Sequence, residues 1–232
     1  MPTNALWLHL ATTVAMAAFI VWLWSRASHN ALRAAVVTTT VIAVWLVTTA
    51  ALAISGITQR VDTLPPGGFA ALGPAVVVVA LVLLVLSRPQ FQGVLDAMPL
   101  TFVLLAQVFR VPVEIVLALL SEAGLLPRLL SYHGTNFDIL TGLTAPLAAW
   151  AAHRRFDRMV LVWNLLGTAL VLNVVGTSIL TFSGPTNVIK VSPPADFAMT
   201  FPMVWLPAFL VPLAILLHGI SLLKLRRRNA TV

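Results

Sequence analysis

The sequence contains no cysteine, which excludes disulfides, thiol catalysis and thiolate metal sites. Charge is nearly as scarce: Asp, Glu, Lys and Arg make up 9% of the 232 residues, against about 25% in a soluble domain. No polar stretch is long enough to form a second, water-soluble domain. Of the fourteen basic residues only Lys190 and Lys224 are lysines, a compositional bias. Neither lies within the last apolar segment, which argues against a retinal Schiff base there. No H-E-x-x-H, G-x-S-x-G or phosphate-loop pattern occurs, so the standard metalloprotease, serine hydrolase and nucleotide chemistries lack support. His9 and His218 fall toward opposite ends of their segments and cannot form a bis-histidine haem site; His153 with His218 is a weak alternative. No cofactor and no metal-ligand set is assigned.

What the chain has in quantity is apolar residues, 59% of the total. A membrane-spanning helix needs about 20 of them in succession. Seven segments fit or nearly fit: residues 5–24, 34–55, 69–87, 100–120, 138–152, 159–182 and 203–223. Between them lie breakers such as Leu64-Pro65-Pro66-Gly67-Gly68, Ser183-Gly184-Pro185 and Ser192-Pro193-Pro194. Basic residues alternate between sides. Arg26, Arg33, Arg88, Arg154, Arg155, Arg158, Lys224, Arg226, Arg227 and Arg228 fall on one side, and Arg60, Arg128 and Lys190 on the other. Positive residues favour the cytoplasm, so the expected fold is an all-α, seven-helix membrane bundle with its N-terminus outside and its C-terminus cytoplasmic. This pattern also accounts for the net charge of +7 without nucleic acid as a partner; the partner expected is the lipid bilayer. The first segment lacks a basic leader and reads as a span, not a removable signal peptide. The Asn229-Ala230-Thr231 sequon falls on the cytoplasmic side and is read as a chance match. No internal repeat of the transporter kind is evident. Trp22, Trp24, Trp150, Trp163 and Trp205 fall mostly toward span ends and read as the interfacial aromatic belt.

One run departs from this pattern. Phe109-Arg110-Val111-Pro112-Val113-Glu114 puts a cation, a proline and an anion in the middle of the fourth span. Charges at that depth are costly and mark sites that bind, move or lock something. At 1.5 Å per residue, Arg110 lies about 15 Å above the cytoplasmic face and Glu114 about 21 Å. Thr141 then falls near 16 Å, with Asp138 and Asn173 both near 21 Å. These five residues are the candidate ligand-binding set. The fifth span, about 22 Å long, is shorter than a hydrocarbon core of about 30 Å. The apolar stretch before it, from Leu125 to Tyr132, is expected to roof an outward-facing cavity. Asn164 and His218, both near 8 Å, form a candidate inner polar site, with simple interhelical packing as the alternative.

Structural readings compete at each position. Arg110 and Glu114, four apart, can neutralise each other. Thr135 and Asp138 have the spacing of a capping box opening the fifth helix. Pro207 and Pro212 either bend the seventh helix around a cavity or serve packing.

The second half resembles a group of small, uncharacterised bacterial multi-pass membrane proteins. The residues that carry the likeness are the Phe109–Glu114 run, Asn136-Phe137-Asp138-Ile139-Leu140-Thr141-Gly142, Ala145-Pro146, Trp163-Asn164, Phe201-Pro202, Trp205-Leu206-Pro207-Ala208-Phe209, Pro212 and His218. It covers roughly residues 100–220 and implies a bacterial cytoplasmic membrane setting, with no activity attached. Three functions stay open. The leading one is a protein that binds a small anionic or lipid-like ligand or an ion, as a transporter or sensor, with Arg110 on the anion, Glu114 as counter-ion or proton carrier, and Thr141 and Asn173 orienting. The second is an enzyme acting on a lipid or isoprenoid, with Glu114 or Asp138 as general acid or base. The third is a non-catalytic assembly subunit. Oligomer formation is left open.

Overall fold

The computed structural model describes residues 1–60 and 69–230. The Leu64–Gly68 breaker and Thr231 of the sequon lie outside them. Among the described residues the regular structure is entirely helical. In chain order the helices are α1 (Thr3–Ala27), α2 (Ala31–Ile54), α3 (Phe69–Leu86), α4 (Gln92–Ala97), α5 (Leu100–Ala106), α6 (Arg110–Glu122), α7 (Ile139–His153), α8 (Asp157–Thr181) and α9 (Val211–Ala230). A 3-10 turn, Gln107–Phe109, joins α5 to α6, and a π-turn, Leu206–Leu210, leads into α9. Each of the seven expected segments is occupied by helix, and α4 is a short helix in what reads as a loop. Five helices are long and apolar enough to cross a membrane: Thr3–Ala27, Ala31–Ile54, Leu100–Glu122, Asp157–Thr181 and Leu206–Arg228. Gly73–Leu86 is a shorter apolar helix.

The exterior is as apolar as the interior. On α2 only Thr49 and Ala53 are buried, while Leu32, Val36, Val41, Val44 and Val47 are more than half exposed. A patch of that kind suits a lipid environment. The core lies along α1, α6 and α9, where Met16, Leu23, Leu117, Leu120, Leu213 and Leu217 pack together. In a lipid environment apolar burial gains little, which leaves close packing and polar contacts to hold the helices. Small residues do the first: Ala148, Ala149, Ala151 and Ala152 of α7 close against Leu100 and Leu104. Thr12 and Thr13 return their hydroxyls to the carbonyls of Leu8 and His9 and so expose no free polar group.

The start of α9 shows the second device. Pro212 has no N–H, so the Ala208 carbonyl loses its usual intrahelical donor. The Trp45 indole of α2 donates to it at 2.8 Å, and the Trp205 indole donates back to the Leu46 carbonyl at 3.0 Å. His9 Nε2 donates to the Pro202 carbonyl at 3.1 Å, and Thr58 to that of Met199 at 2.7 Å. Trp45→Phe therefore strands one carbonyl. It is expected to cost about 1 kcal/mol, measurable as a lower melting temperature in detergent.

Candidate functional site

Pro112 decides where α6 begins. Without its N–H the Val108 carbonyl has no i+4 partner, and the chain tightens into the 3-10 turn just before Arg110. Arg110 is 1% exposed, and the described residues satisfy nearly all of its donors. Nε donates to Asp138 Oδ2 at 2.7 Å, and Nη2 lies 2.5 Å from Oδ1. Nη1 donates to His218 Nε2 at 3.0 Å, and both terminal nitrogens reach the Gly167 carbonyl at 3.4 and 3.5 Å.

Because a guanidinium only donates, His218 Nε2 must accept. Its Nδ1 then donates to Asn164 Oδ1, 3.0 Å away. Asn164 Nδ2 is committed to Ser221 Oγ at 2.9 Å and the Val160 carbonyl at 2.8 Å, which fixes the orientation of the amide. Trp163 lies against the imidazole with ring centroids 5.4 Å apart, anchored by its indole to Thr144 Oγ1 at 2.8 Å. It packs into this site.

On the other flank, Asn136 Nδ2 donates to Glu114 Oε1 at 2.7 Å and to the Leu130 carbonyl at 3.0 Å. Its Oδ1 accepts the Asp138 backbone N–H at 3.0 Å, an Asx-turn that aims Asp138 at Arg110. One polar chain thus runs from Glu114 through Asn136, Asp138, Arg110, His218 and Asn164 to Ser221, all of them 7% exposed or less.

Several expectations change. Arg110 pairs with Asp138, not with Glu114. Asp138 sits at the cap position of α7 but makes no side-chain cap there, so the capping-box reading fails. The inner pair and the outer cluster are one network, although rise alone separates them. Helical side chains lean toward their own N-terminus. The pairings Asn164–Ser221 and Gly167–His218 make α8 antiparallel to α9, Thr144–Trp163 and Thr141–Gly167 do the same for α7 and α8, and Leu95–Lys224 with Gln107–Ala214 run the chain leading into α6 antiparallel to α9. Arg110 on α6 and His218 on α9 therefore lean toward each other. Asn173 is not in the network: it is exposed and donates to the Thr135 carbonyl at 3.1 Å. It lies six residues beyond Gly167, about 240° around α8. Thr141 is buried beside the network, with no partner for its Oγ1.

Two glycines permit these approaches. A Cβ on Gly167 would lie 2.6 Å from His218 Cε1 and 2.9 Å from Thr141 Cγ2. One on Gly142 would lie 2.8 Å from Val111 Cγ2. Gly167 and Ser221 lie in no motif, and Asn136 enters only within the Asn136–Gly142 run that carries the resemblance. The one signal available was the Asn-x-Asp spacing of 136–138.

Glu114 Oε2 is buried and has no partner among the described residues. Beyond Glu114 on the same helix lies a partly open cleft of about 50 Å³, walled by Leu117 of α6, Leu126 and Leu130 of the expected roof, Val175 and Ile179 of α8, and Val211 of α9. None of the five candidate residues, Arg110, Glu114, Asp138, Thr141 and Asn173, is in its wall.

No curated protein and no solved structure matches the chain. A family model does, over residues 68–226. That range takes in the whole polar chain and the cleft, and it extends the likeness from α5 back to α3. The chain belongs to the family described as Domain of unknown function (DUF8737).

Proposed function

We propose that this is a multi-pass protein of the bacterial cytoplasmic membrane that binds a small molecule through Glu114. It crosses the membrane seven times, with the N-terminus outside and the C-terminus in the cytoplasm. Support for seven crossings comes from the five long apolar helices, the Gly73–Leu86 helix and α7. The antiparallel contacts of α7 with α8 support its crossing. The ten-to-three distribution of basic residues orients it.

The observation that carries the function is the unpartnered Glu114 Oε2. A buried acceptor without a donor costs about 1–3 kcal/mol, and a ligand N–H or O–H would remove that cost. Thr141 Oγ1 is a further unpartnered atom, on the other flank beside Gly167 and His218. Nearly all of Arg110's donors are taken up by the described residues, which argues against a small anion and for a neutral or cationic, lipid-like ligand. Transport and sensing both use such a site. The apolar cleft favours one further reading, an enzyme acting on a lipid or isoprenoid with Glu114 as general acid or base. Asp138 is held by Arg110 through both oxygens and is unsuited to that role.

Glu114→Gln keeps an oxygen for the Asn136 amide and replaces the free acceptor with a donor. Mass spectrometry of small molecules that co-purify from native membranes should then show about a tenfold loss against the parent, with melting little changed. Equal retention by parent and variant would remove Glu114 from the site.

A further inference from the structure

We propose that the turn between α7 and α8 binds the phosphate of an anionic phospholipid through Arg154, Arg155 and Arg158, with an acyl chain of that lipid along the outer face of α7. The site is separate from Glu114 and rests only on the reading that α7 and α8 cross the membrane.

The turn is a helix stop with one departure. The Phe156 N–H donates to the Ala151 carbonyl at 2.9 Å and the Arg155 N–H to that of Ala152 at 3.3 Å, the paired bonds of a Schellman motif. The apolar contact that accompanies the motif is present too, with the ring centroids of Trp150 and Phe156 5.6 Å apart. Such a turn needs a left-handed residue at Arg155, whose φ is 60°. Glycine is the usual occupant, because it has no Cβ to strain. Among the described residues, no other non-glycine residue has a positive φ. An arginine here costs stability, and what it adds in return is a guanidinium.

The end of α7 does not use that guanidinium. Cations near a helix C-terminus can serve its open carbonyls, but here those carbonyls are taken. Trp150 accepts the Arg154 N–H at 3.0 Å, and Ala152 accepts from the Arg228 side chain at 3.3 Å besides its turn bond. Arg228 also pairs at 3.4 Å with Asp157, the one carboxylate in the turn. Among the described residues the side chains of Arg154, Arg155 and Arg158 have no hydrogen-bond or ion-pair partner, and all three are exposed. Three unpaired guanidinium groups so close together repel one another. A phosphate, which accepts from arginine through two oxygens at once, relieves that repulsion.

The surroundings decide between a soluble phosphate and a lipid. On α7, Leu140, Leu143, Leu147 and Trp150 are 51%, 58%, 49% and 47% exposed. Their spacing puts them within about 80° of one face, over a length of about 15 Å. That is the depth of one leaflet in a hydrocarbon core of about 30 Å. The stripe ends on Trp150 and the exposed Phe156, rings suited to the headgroup level, and the arginines follow directly. A lipid bound there keeps its head at the membrane surface and its chain in hydrocarbon.

The test uses delipidated full-length protein in detergent, with native mass spectrometry counting bound phosphatidylglycerol. Phosphatidylcholine, whose choline cation offsets the same phosphate, is the counter-probe. The parent should retain one phosphatidylglycerol about tenfold better than phosphatidylcholine. One arginine near such a surface is worth about fivefold, so Arg158→Gln and Arg155→Gly should each lower phosphatidylglycerol retention by about that factor. Arg33→Gln, an exposed arginine on the same side, should leave it unchanged. An equal loss in Arg33→Gln would mean diffuse attraction to the whole basic face and would overturn the site. Arg155→Gly also removes the left-handed strain, so it should melt higher than the parent in lipid-free detergent while losing lipid. A lower melting temperature would show that Arg155 holds the turn, and the argument for a ligand would fall. Soluble glycerol phosphate at the same concentration should not displace the lipid; displacement would overturn the lipid assignment. A parent that alkaline carbonate strips from vesicles overturns the membrane reading and this proposal with it. One that stays in the vesicles yet shows no preference for phosphatidylglycerol overturns this proposal alone.

Discussion

Arg110→Ala is expected to lower stability by about 3–5 kcal/mol, the largest single effect in the molecule. The loss comes less from the missing attraction than from what is left behind: a buried Asp138 carboxylate, an unpaired His218 Nε2 and a Gly167 carbonyl stripped of its extra donors. The exposed Arg227–Asp96 pair at 2.7 Å is worth about 1 kcal/mol at most, so distance alone does not set the value. Replacing both partners with apolar residues, Arg110→Met with Asp138→Leu, removes the stranded charge and should recover most of the loss. Unfolding in mixed detergent micelles measures all the variants. An Arg110→Ala protein as stable as its parent would mean that water or lipid heads reach Asp138, and that the pair is not a lock.

Gly167→Ala is the second large effect, and its sign is set by a contest. In an exposed helix this exchange gains up to about 1 kcal/mol in propensity. Here the new methyl would lie 2.6 Å from His218 Cε1 and 2.8 Å from Nε2. Overpacking costs about 1–3 kcal/mol, and moving the ring breaks its bonds to Arg110 and Asn164. A net loss of about 2–3 kcal/mol is expected. Gly176 on the same helix has open space where its Cβ would be, so Gly176→Ala should be neutral or mildly stabilising. Thermal melting of the two variants side by side separates a contact effect from a propensity effect. Equal melting of both would deny the close approach.

The helices were legible because hydropathy reports length directly. Depth counting also brought Thr141 to the level of Arg110 and Asn164 to that of His218, but it set Asp138 level with Glu114, about 6 Å above Arg110. It failed on Asn173 because rise fixes height and says nothing of azimuth. It separated Arg110 from His218 because it ignored the opposite lean of side chains on antiparallel helices. The Arg110–Glu114 pairing was suggested by i,i+4 spacing alone, but Asp138, aimed by the Asn136 turn, meets the guanidinium through both oxygens. Gly167 contributes the absence of a side chain, which no pattern of residue types marks as a contact.

The polar chain also sets an order in time. Arg110 is made 28 residues before Asp138 and 108 before His218. At about 5–20 residues per second of synthesis, the wait for Asp138 is a few seconds and the wait for His218 about 5–20 s. Over that interval α6 carries a charge whose last partner does not yet exist. Helix α9 is therefore the closing member of the assembly. A nascent chain stopped before it holds Arg110 with its Asp138 contact and without its histidine.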